Sequence, residues 1–420
     1  MCGRLVSFIG LIFFLGMAWA LSTDKRRVPW RVVVWGLLLQ FLVALLILRT
    51  EFGRRVFDLA GVAVQKLVGF ANEGCRFVFG PLADSSALVK SFGPEHGYIV
   101  AIVITGTIIL VSTISSVLYH WGILQRMVQF VATIMRYCMK TSGSETLAAA
   151  ANIFMGQTEA PLLVRPYIGR MTQSELMCLM TGGMATIAGG VGAVYAELGR
   201  QAGYPDMAGH LLTASVMSAP ATLLVAKLMM PEKEQPETAK CVPRLVERTT
   251  SNTIDAMCKG AADGMKLSIN VVAMLIAFVA VVALLNFVFQ KVQVWLGCAS
   301  PITLQTVVGW LNMPFAWLMG VPAKDCLVVG QALGERIVLN EFIGYLTLTS
   351  NAASLTDRGF VLGTYALCGF ANFGSVAIQV GGIGALVPER RADLAKLGLR
   401  AMVAGTLACY ITACIVGILT

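Results

Sequence analysis

The chain has 420 residues, of which 57% are hydrophobic and 13% charged, with 11 cysteines, 3 histidines and a formal net charge of +9. Soluble proteins carry about a quarter charged residues, so a mean hydropathy of +0.75 excludes an ordinary cytosolic domain and implies a multi-pass protein whose solvent is the lipid bilayer. The excess of lysine and arginine follows membrane topology and not nucleic-acid binding, because basic side chains cluster on the cytoplasmic ends of spans.

Apolar runs near 4 to 22, 31 to 49, 97 to 120, 173 to 197, 209 to 230, 265 to 290, 357 to 386 and 395 to 419 predict eight transmembrane helices, each close to the roughly 20 residues that cross a hydrocarbon core. Arg4, the short first run and "AWA" at 18 to 20 also resemble a secretory signal peptide. The cluster "DKRR" at 24 to 27 favours a retained helix with its N-terminus outside. Basic residues then recur at Arg126, Arg136 and Lys140, at Arg165 and Arg170, at Lys227, Lys233, Lys240, Arg244, Arg248 and Lys259, and at Arg390, Arg391, Lys396 and Arg400. That alternation places both termini outside.

Between the second and third spans, Val56, Leu59, Ala60, Ala63, Val64 and Leu67 fall at helical spacing, which predicts an amphipathic helix along the membrane interface. Residues 231 to 262 form the one clearly polar stretch and are expected to connect two halves on the cytoplasmic side. The cysteines show no CxxC pair, so neither a zinc site nor a disulfide framework is indicated. His96, His120 and His210 are dispersed, and no nucleophile and base pair is evident. Two carboxylates in apolar surroundings are the only argument for an intramembrane enzyme.

Two segments fit no span. Residues 142 to 168 open on "SGSE", a capping-box pattern, and break at Gly156, while 322 to 350 turn near Leu339, Asn340 and Glu341. Each is too short for two crossings and too apolar for water, which predicts a re-entrant helical hairpin buried in protein. The topology makes the first enter from the cytoplasm and the second from outside. Each hairpin precedes a glycine-interrupted span, "TGGMATIAGGVGAVYAELG" (181 to 199) and "CGFANFGSVAIQVGGIGALVP" (368 to 388). Paired broken helices of opposite entry mark inverted-repeat transporters with a midplane site. Neither GGVG nor GGIG completes a dinucleotide fingerprint.

A carboxylate at the bilayer centre costs at least about 2.5 kcal/mol, so Glu159 and Glu341 need a reason. One reading pairs Glu159 with Arg165 and Glu341 with Arg336. The other uses their neighbours: Gln157, Thr158 and Glu159 together offer donors and acceptors that suit a flat solute edge alternating N–H and C=O. Glu341, Asn372 and Ser375 suit vicinal hydroxyls, and Phe370 and Phe373 supply apolar surface.

The stretches "NIFMGQTEAPLLVRPYI", "MTQSELMCLMTGGMATIAGGV", "NEFIGY" and "GFANFGS", in that order, resemble the motifs of the concentrative nucleoside transporter family. The resemblance covers about 140 to 390, and residues 1 to 95 are similar only in layout; the absence of a long N-terminal extension resembles bacterial members and their inner-membrane location. It implies a homotrimer with an elevator mechanism. Scaffold segments would be 1 to 140 and 231 to 320, and transport-domain segments 141 to 230 and 321 to 420. It implies that Gln157, Thr158, Glu159 and Val191 contact the base of a uridine-, cytidine- or adenosine-type nucleoside, while Glu341, Asn372, Ser375 and Phe370 surround the ribose. In similar sodium-coupled members the ion would be held by Asn152, the Met155 carbonyl, the Thr186 hydroxyl and the Ile187 carbonyl. Threonine at 186 stands where serine is expected and keeps the hydroxyl, and Met155 replaces a small branched residue. Proton-coupled relatives with the same pocket are the alternative.

Overall fold

The computed structural model describes residues 2–92, 99–239, 250–297 and 300–420, and among these every regular element is helical. His96, Lys240, Arg244 and Arg248, used above for chemistry and topology, lie outside the described residues. In chain order the helices are α1 (Cys2–Ala20), α2 (Trp30–Arg49), α3 (Glu51–Phe79), α4 (Ser85–Phe92), α5 (Val100–His120) and α6 (Ile123–Met139). Next come α7 (Gly143–Ala151), α8 (Ala160–Leu163), α9 (Arg165–Ile168), α10 (Gln173–Ala185), α11 (Gly189–Gln201), α12 (Met207–Met229) and α13 (Thr253–Trp295). The chain finishes with α14 (Leu304–Leu318), α15 (Cys326–Val338), α16 (Glu341–Ser350), α17 (Asp357–Leu367), α18 (Phe373–Leu386) and α19 (Arg391–Leu419).

Six described helical stretches are long and apolar enough to cross a bilayer: 3–20, 30–49, 101–120, 173–201, 207–229 and 388–419. They coincide with six of the expected spans. The remaining two are α13, which contains 265 to 290, and the broken pair α17 and α18. In the α12 window 89% of residues are buried, against 17% in that of α5, which places α12 at the centre and α5 at the rim. A helix apolar on every side needs protein or lipid all round it.

Both hairpins form. In the first, α7 is followed by turns over 152 to 159 before α8 starts with Pro161 in its first turn, where a missing N–H costs nothing. In the second, α15 stops at Val338, and Asn340 caps α16 by accepting the Ile343 N–H at 3.0 Å. The order hairpin, broken helix, long helix occurs twice, as α7 to α12 and as α15 to α19. The long helix of each half packs on the broken helices of both halves.

The helix α3 is present: Val68, Ala71 and Cys75 pack against α5, while Leu59 stays exposed, as a side chain facing lipid at the interface would be. Other elements differ from the sequence expectation. The helix α6, unassigned above, buries Leu124, Val128, Ala132, Met135 and Met139 against the first hairpin. The helix α14 packs mainly on α15 and ties the second hairpin to α1. The polar connection ends early, because Asn252 caps α13 by accepting the Asp255 N–H at 2.9 Å.

A buried ionic network fixes the root of the first hairpin. Glu145 closes the expected capping box by accepting the Ser142 N–H at 2.8 Å with Oε1, and its Oε2 meets Lys227 Nζ at 2.7 Å. Lys227 also reaches Glu232 at 3.0 Å and donates to Ser174 Oγ at 3.0 Å. Glu175 caps α10 and accepts from Ser142 Oγ at 2.5 Å and Ser144 Oγ at 2.8 Å. Lys227, counted above as a topology marker, is instead buried at 4% exposure. Its long stem carries the ammonium back to carboxylates supplied by the hairpin and the 231–239 segment.

Candidate functional site

The two breaks in the repeated halves touch each other. The chain from Thr186 to Ala188 leaves α10 in extended form, and the Phe370 N–H donates to the Thr186 carbonyl at 3.2 Å. Glycines permit the approach. A Cβ on Gly369 would lie 2.7 Å from the Met184 carbonyl oxygen, and one on Gly182 would lie 2.8 Å from Asn152 Nδ2 at the end of α7.

A continuous polar chain runs through this crossing. Glu341, the first residue of α16, accepts the Tyr195 O–H on Oε1 at 2.9 Å and the Asn372 Nδ2–H on Oε2 at 3.1 Å. Asn372 caps α18, its Oδ1 accepting the Ser375 N–H at 2.7 Å. Ser375 Oγ accepts from Gln157 Nε2 at 3.1 Å, and Gln157 Oε1 accepts from Gln379 Nε2 at 3.1 Å. Gln157, Glu341, Asn372, Ser375 and Gln379 are all buried. The helix N-terminus beneath Glu341 favours its negative charge, and no cation lies within ion-pair distance of it among the described residues.

The other expected site residues fall around this chain. Val191 is buried in α11 one turn before Tyr195, and Phe370 is half-buried in the second break. Thr158 is exposed, its methyl aimed at α18 near Gly382. Glu159 is also exposed and does not join the chain: its Oε2 accepts the Gly156 N–H at 3.3 Å. It faces a cavity of about 280 Å³ against α5 and α13, lined also by Met155, Arg165, Ser116, Lys259 and Asp263. Glu159 forms no ion pair with Arg165 and Glu341 forms none with Arg336 among the described residues. Arg336 instead donates to the Ala366 carbonyl at 2.5 Å and lies over the Tyr410 ring.

The residues suited to a cation gather at the first crossing. Asn152 Nδ2 donates to the Ala148 carbonyl at 3.0 Å, and its buried Oδ1 has no partner among the described residues. Thr186 Oγ donates to the Gly182 carbonyl at 2.9 Å, so its lone pairs remain available. Ile187 is buried and Met155 half-buried next to them. Neutral hard oxygens of this kind suit an alkali cation better than a transition metal.

Tyr195 and Gln379 were missed in the sequence. Each lies four residues beyond a recognised position, Val191 and Ser375, and so one helical turn along the same face. That spacing was the available signal.

Three family models match the chain: "Na+ dependent nucleoside transporter N-terminus" over residues 9–82, "Nucleoside recognition" over 101–201 and "Na+ dependent nucleoside transporter C-terminus" over 210–417. An uncharacterized transporter of Haemophilus influenzae is 41% identical over 99% of this chain and 97% of its own length. Rat sodium/nucleoside cotransporter 1 is 39% identical over 99% of this chain, which spans 64% of that relative. Solute carrier family 28 member 3 of Eptatretus stoutii is 38% identical, and the chain spans 60% of its length. The structure of CNTnw in an inward-facing, substrate-bound state matches 99% of this chain and 97% of that one, with 37% identity and a TM-score of 0.90. An outward-facing CNTnw variant matches with a TM-score of 0.91. Helix content, repeated halves and these matches agree: the chain is a multi-pass membrane transporter, not an enzyme, and belongs to the Na+ dependent nucleoside transporter family.

Proposed function

We propose that this protein imports nucleosides of the uridine, cytidine and adenosine class across the cell membrane in symport with sodium, by an elevator form of alternating access. The observation that carries the reading is the buried chain from Tyr195 through Glu341, Asn372 and Ser375 to Gln157. It sets a carboxylate, an amide and a hydroxyl at the meeting point of both hairpins and both breaks. Glu341, Asn372 and Ser375, with Phe370 beside them, take the ribose hydroxyls. Gln157, Thr158, Glu159 and Val191 take the base.

In this reading the two hairpins are re-entrant and move with α10 to α12 and α17 to α19 as one transport unit, against a scaffold drawn from residues 1 to 140 and 231 to 320. The close crossing of α5 and α13 supports a rigid scaffold: a Cβ on Gly260 would lie 2.7 Å from the Ser112 carbonyl oxygen. Three copies assemble through the scaffold. Sodium sits among Asn152, the Met155 and Ile187 carbonyls and the Thr186 hydroxyl, where it links the first hairpin to the broken helix. One sodium ion crossing 100 mV contributes about 2.3 kcal/mol and a tenfold gradient about 1.4, together enough for roughly several hundredfold accumulation.

Uptake of labelled uridine into proteoliposomes with imposed ion gradients tests the proposal. A sodium gradient is expected to drive accumulation, and sodium and nucleoside to raise each other's affinity by the same factor. Thr186→Val is expected to remove most of that mutual effect while the protein stays folded. Full uptake without sodium, driven by a pH gradient, would establish the proton-coupled alternative.

A second expectation concerns Glu159. Because it faces a cavity and has no ion pair with Arg165, Glu159→Gln should lower uridine affinity before it lowers thermal stability. Arg165→Gln should leave the melting temperature near wild type, and free ribose should compete poorly. Unfolding of both variants ahead of any loss of binding would return Glu159 to a structural role.

A further inference from the structure

We propose that Gln379 is a specificity-determining positioning residue: it locks the Gln157 amide with its nitrogen toward the solute, so that the site favours a nucleobase edge presenting a carbonyl over one presenting an amino group. The inference rests on the nucleoside-binding reading of Gln157.

A glutamine amide can be turned by 180° to exchange donor and acceptor at little steric cost, so something must decide which end Gln157 offers. The decision originates in a backbone group that cannot turn. The Met180 carbonyl of α10 accepts only, and it takes one hydrogen from Gln379 Nε2 at 3.2 Å. The other hydrogen of the same nitrogen goes to Gln157 Oε1 at 3.1 Å. Turned over, Gln379 would set its oxygen against the Met180 carbonyl oxygen. In the observed orientation Gln379 Oε1 is buried without a partner among the described residues, so the two donated bonds and not the acceptor hold the side chain. A buried acceptor left unpaired is unfavourable, so the donor side is what constrains this orientation.

With its oxygen held, Gln157 has only its nitrogen to turn toward the pocket. One N–H goes to Ser375 Oγ at 3.1 Å and the second remains for solute. Gly183 gives both side chains room against α10: a Cβ there would stand 2.8 Å from Gln157 Cβ and in contact with Gln379 Nε2.

Uridine and cytidine share their ribose and differ at the base edge, where uridine carries a carbonyl and cytidine an amino group. Competition of each against labelled uridine in proteoliposomes is the measurement. Wild type is expected to prefer uridine. Gln379→Leu frees Gln157 to turn and is expected to reduce the uridine-to-cytidine preference by about fivefold, the worth of one hydrogen bond, with sodium dependence and melting temperature retained. Gln379→Glu, protonated in this buried position, donates to the Met180 carbonyl and accepts from Gln157 Nε2. It turns the Gln157 oxygen to the solute and is expected to shift the preference toward cytidine. Wild-type preference in whichever of these variants folds overturns the proposal. Gln157→Ala separates the two levels of inference: if it leaves uridine affinity unchanged, the placement of the base at Gln157 itself fails. If Gln157→Ala weakens binding while the Gln379 variants keep the wild-type ratio, only the role of Gln379 fails.

Discussion

Glu341→Gln is expected to weaken nucleoside binding by about 2–3 kcal/mol, roughly 30- to 150-fold, with little change in melting temperature. The internal contacts survive the substitution. Glutamine keeps one oxygen for the Asn372 amide, and the Tyr195 hydroxyl, which donates to Glu341 Oε1 at 2.9 Å, can rotate and accept from the new amide nitrogen. Tyr195 is held in place independently by stacking on Tyr345, with ring centroids 4.2 Å apart. What disappears is a charged acceptor for solute hydroxyls in a water-excluded site, where charge-assisted bonds are roughly twice as strong as neutral ones. Titration calorimetry of the purified variant with uridine provides the measurement. Wild-type affinity in a folded Glu341→Gln protein would remove this carboxylate from the site.

Lys227→Met is expected to have the opposite signature, a loss of about 3–5 kcal/mol in stability with normal nucleoside affinity in the fraction that remains folded. Lys227 lies between Glu145 at 2.7 Å and Glu232 at 3.0 Å, and Glu145 is 1% exposed. Removal of the ammonium leaves Glu145 charged and buried without its counter-ion. The same principle makes the pair a poor source of net stability, since desolvation of both ions offsets their attraction. The double variant Lys227→Met with Glu145→Gln should therefore recover part of the loss. Thermal unfolding in detergent decides the matter, and a single variant as stable as wild type would show that the network does not hold the hairpin root.

Hydropathy and helix-stop signals made much of the architecture legible. The bilayer admits only helices long enough to cross it or backbone buried in protein, so segments of the wrong length, 142 to 168 and 322 to 350, stood out in the sequence as broken helical segments and not spans. The capping box at Ser142 and Glu145 and the break before Pro161 follow from local backbone chemistry, and both are present. The helices α6 and α14 were not legible. The first is amphipathic with basic residues on its outer face, and the second is short and interrupted by Pro314, so neither resembles a span.

What the sequence determined by itself is therefore the membrane environment, the helical class, the twofold recurrence of hairpin and broken helix, and the short list of polar residues too costly to be buried without purpose. These are properties of single segments, fixed by length, hydropathy and local capping. Only the tertiary structure decided which of those residues meet. It joined Gln157, Ser375, Asn372 and Glu341 into one hydrogen-bonded chain and turned Glu159, two residues from Gln157, out of that chain toward the cavity against α5 and α13. It also made Lys227 an internal ion and recruited Tyr195 and Gln379. The physical reason is that a side chain's direction at a helix break depends on backbone torsions set by packing between the repeated halves. Hydrogen-bond partners more than 140 residues apart leave no periodic trace along the chain.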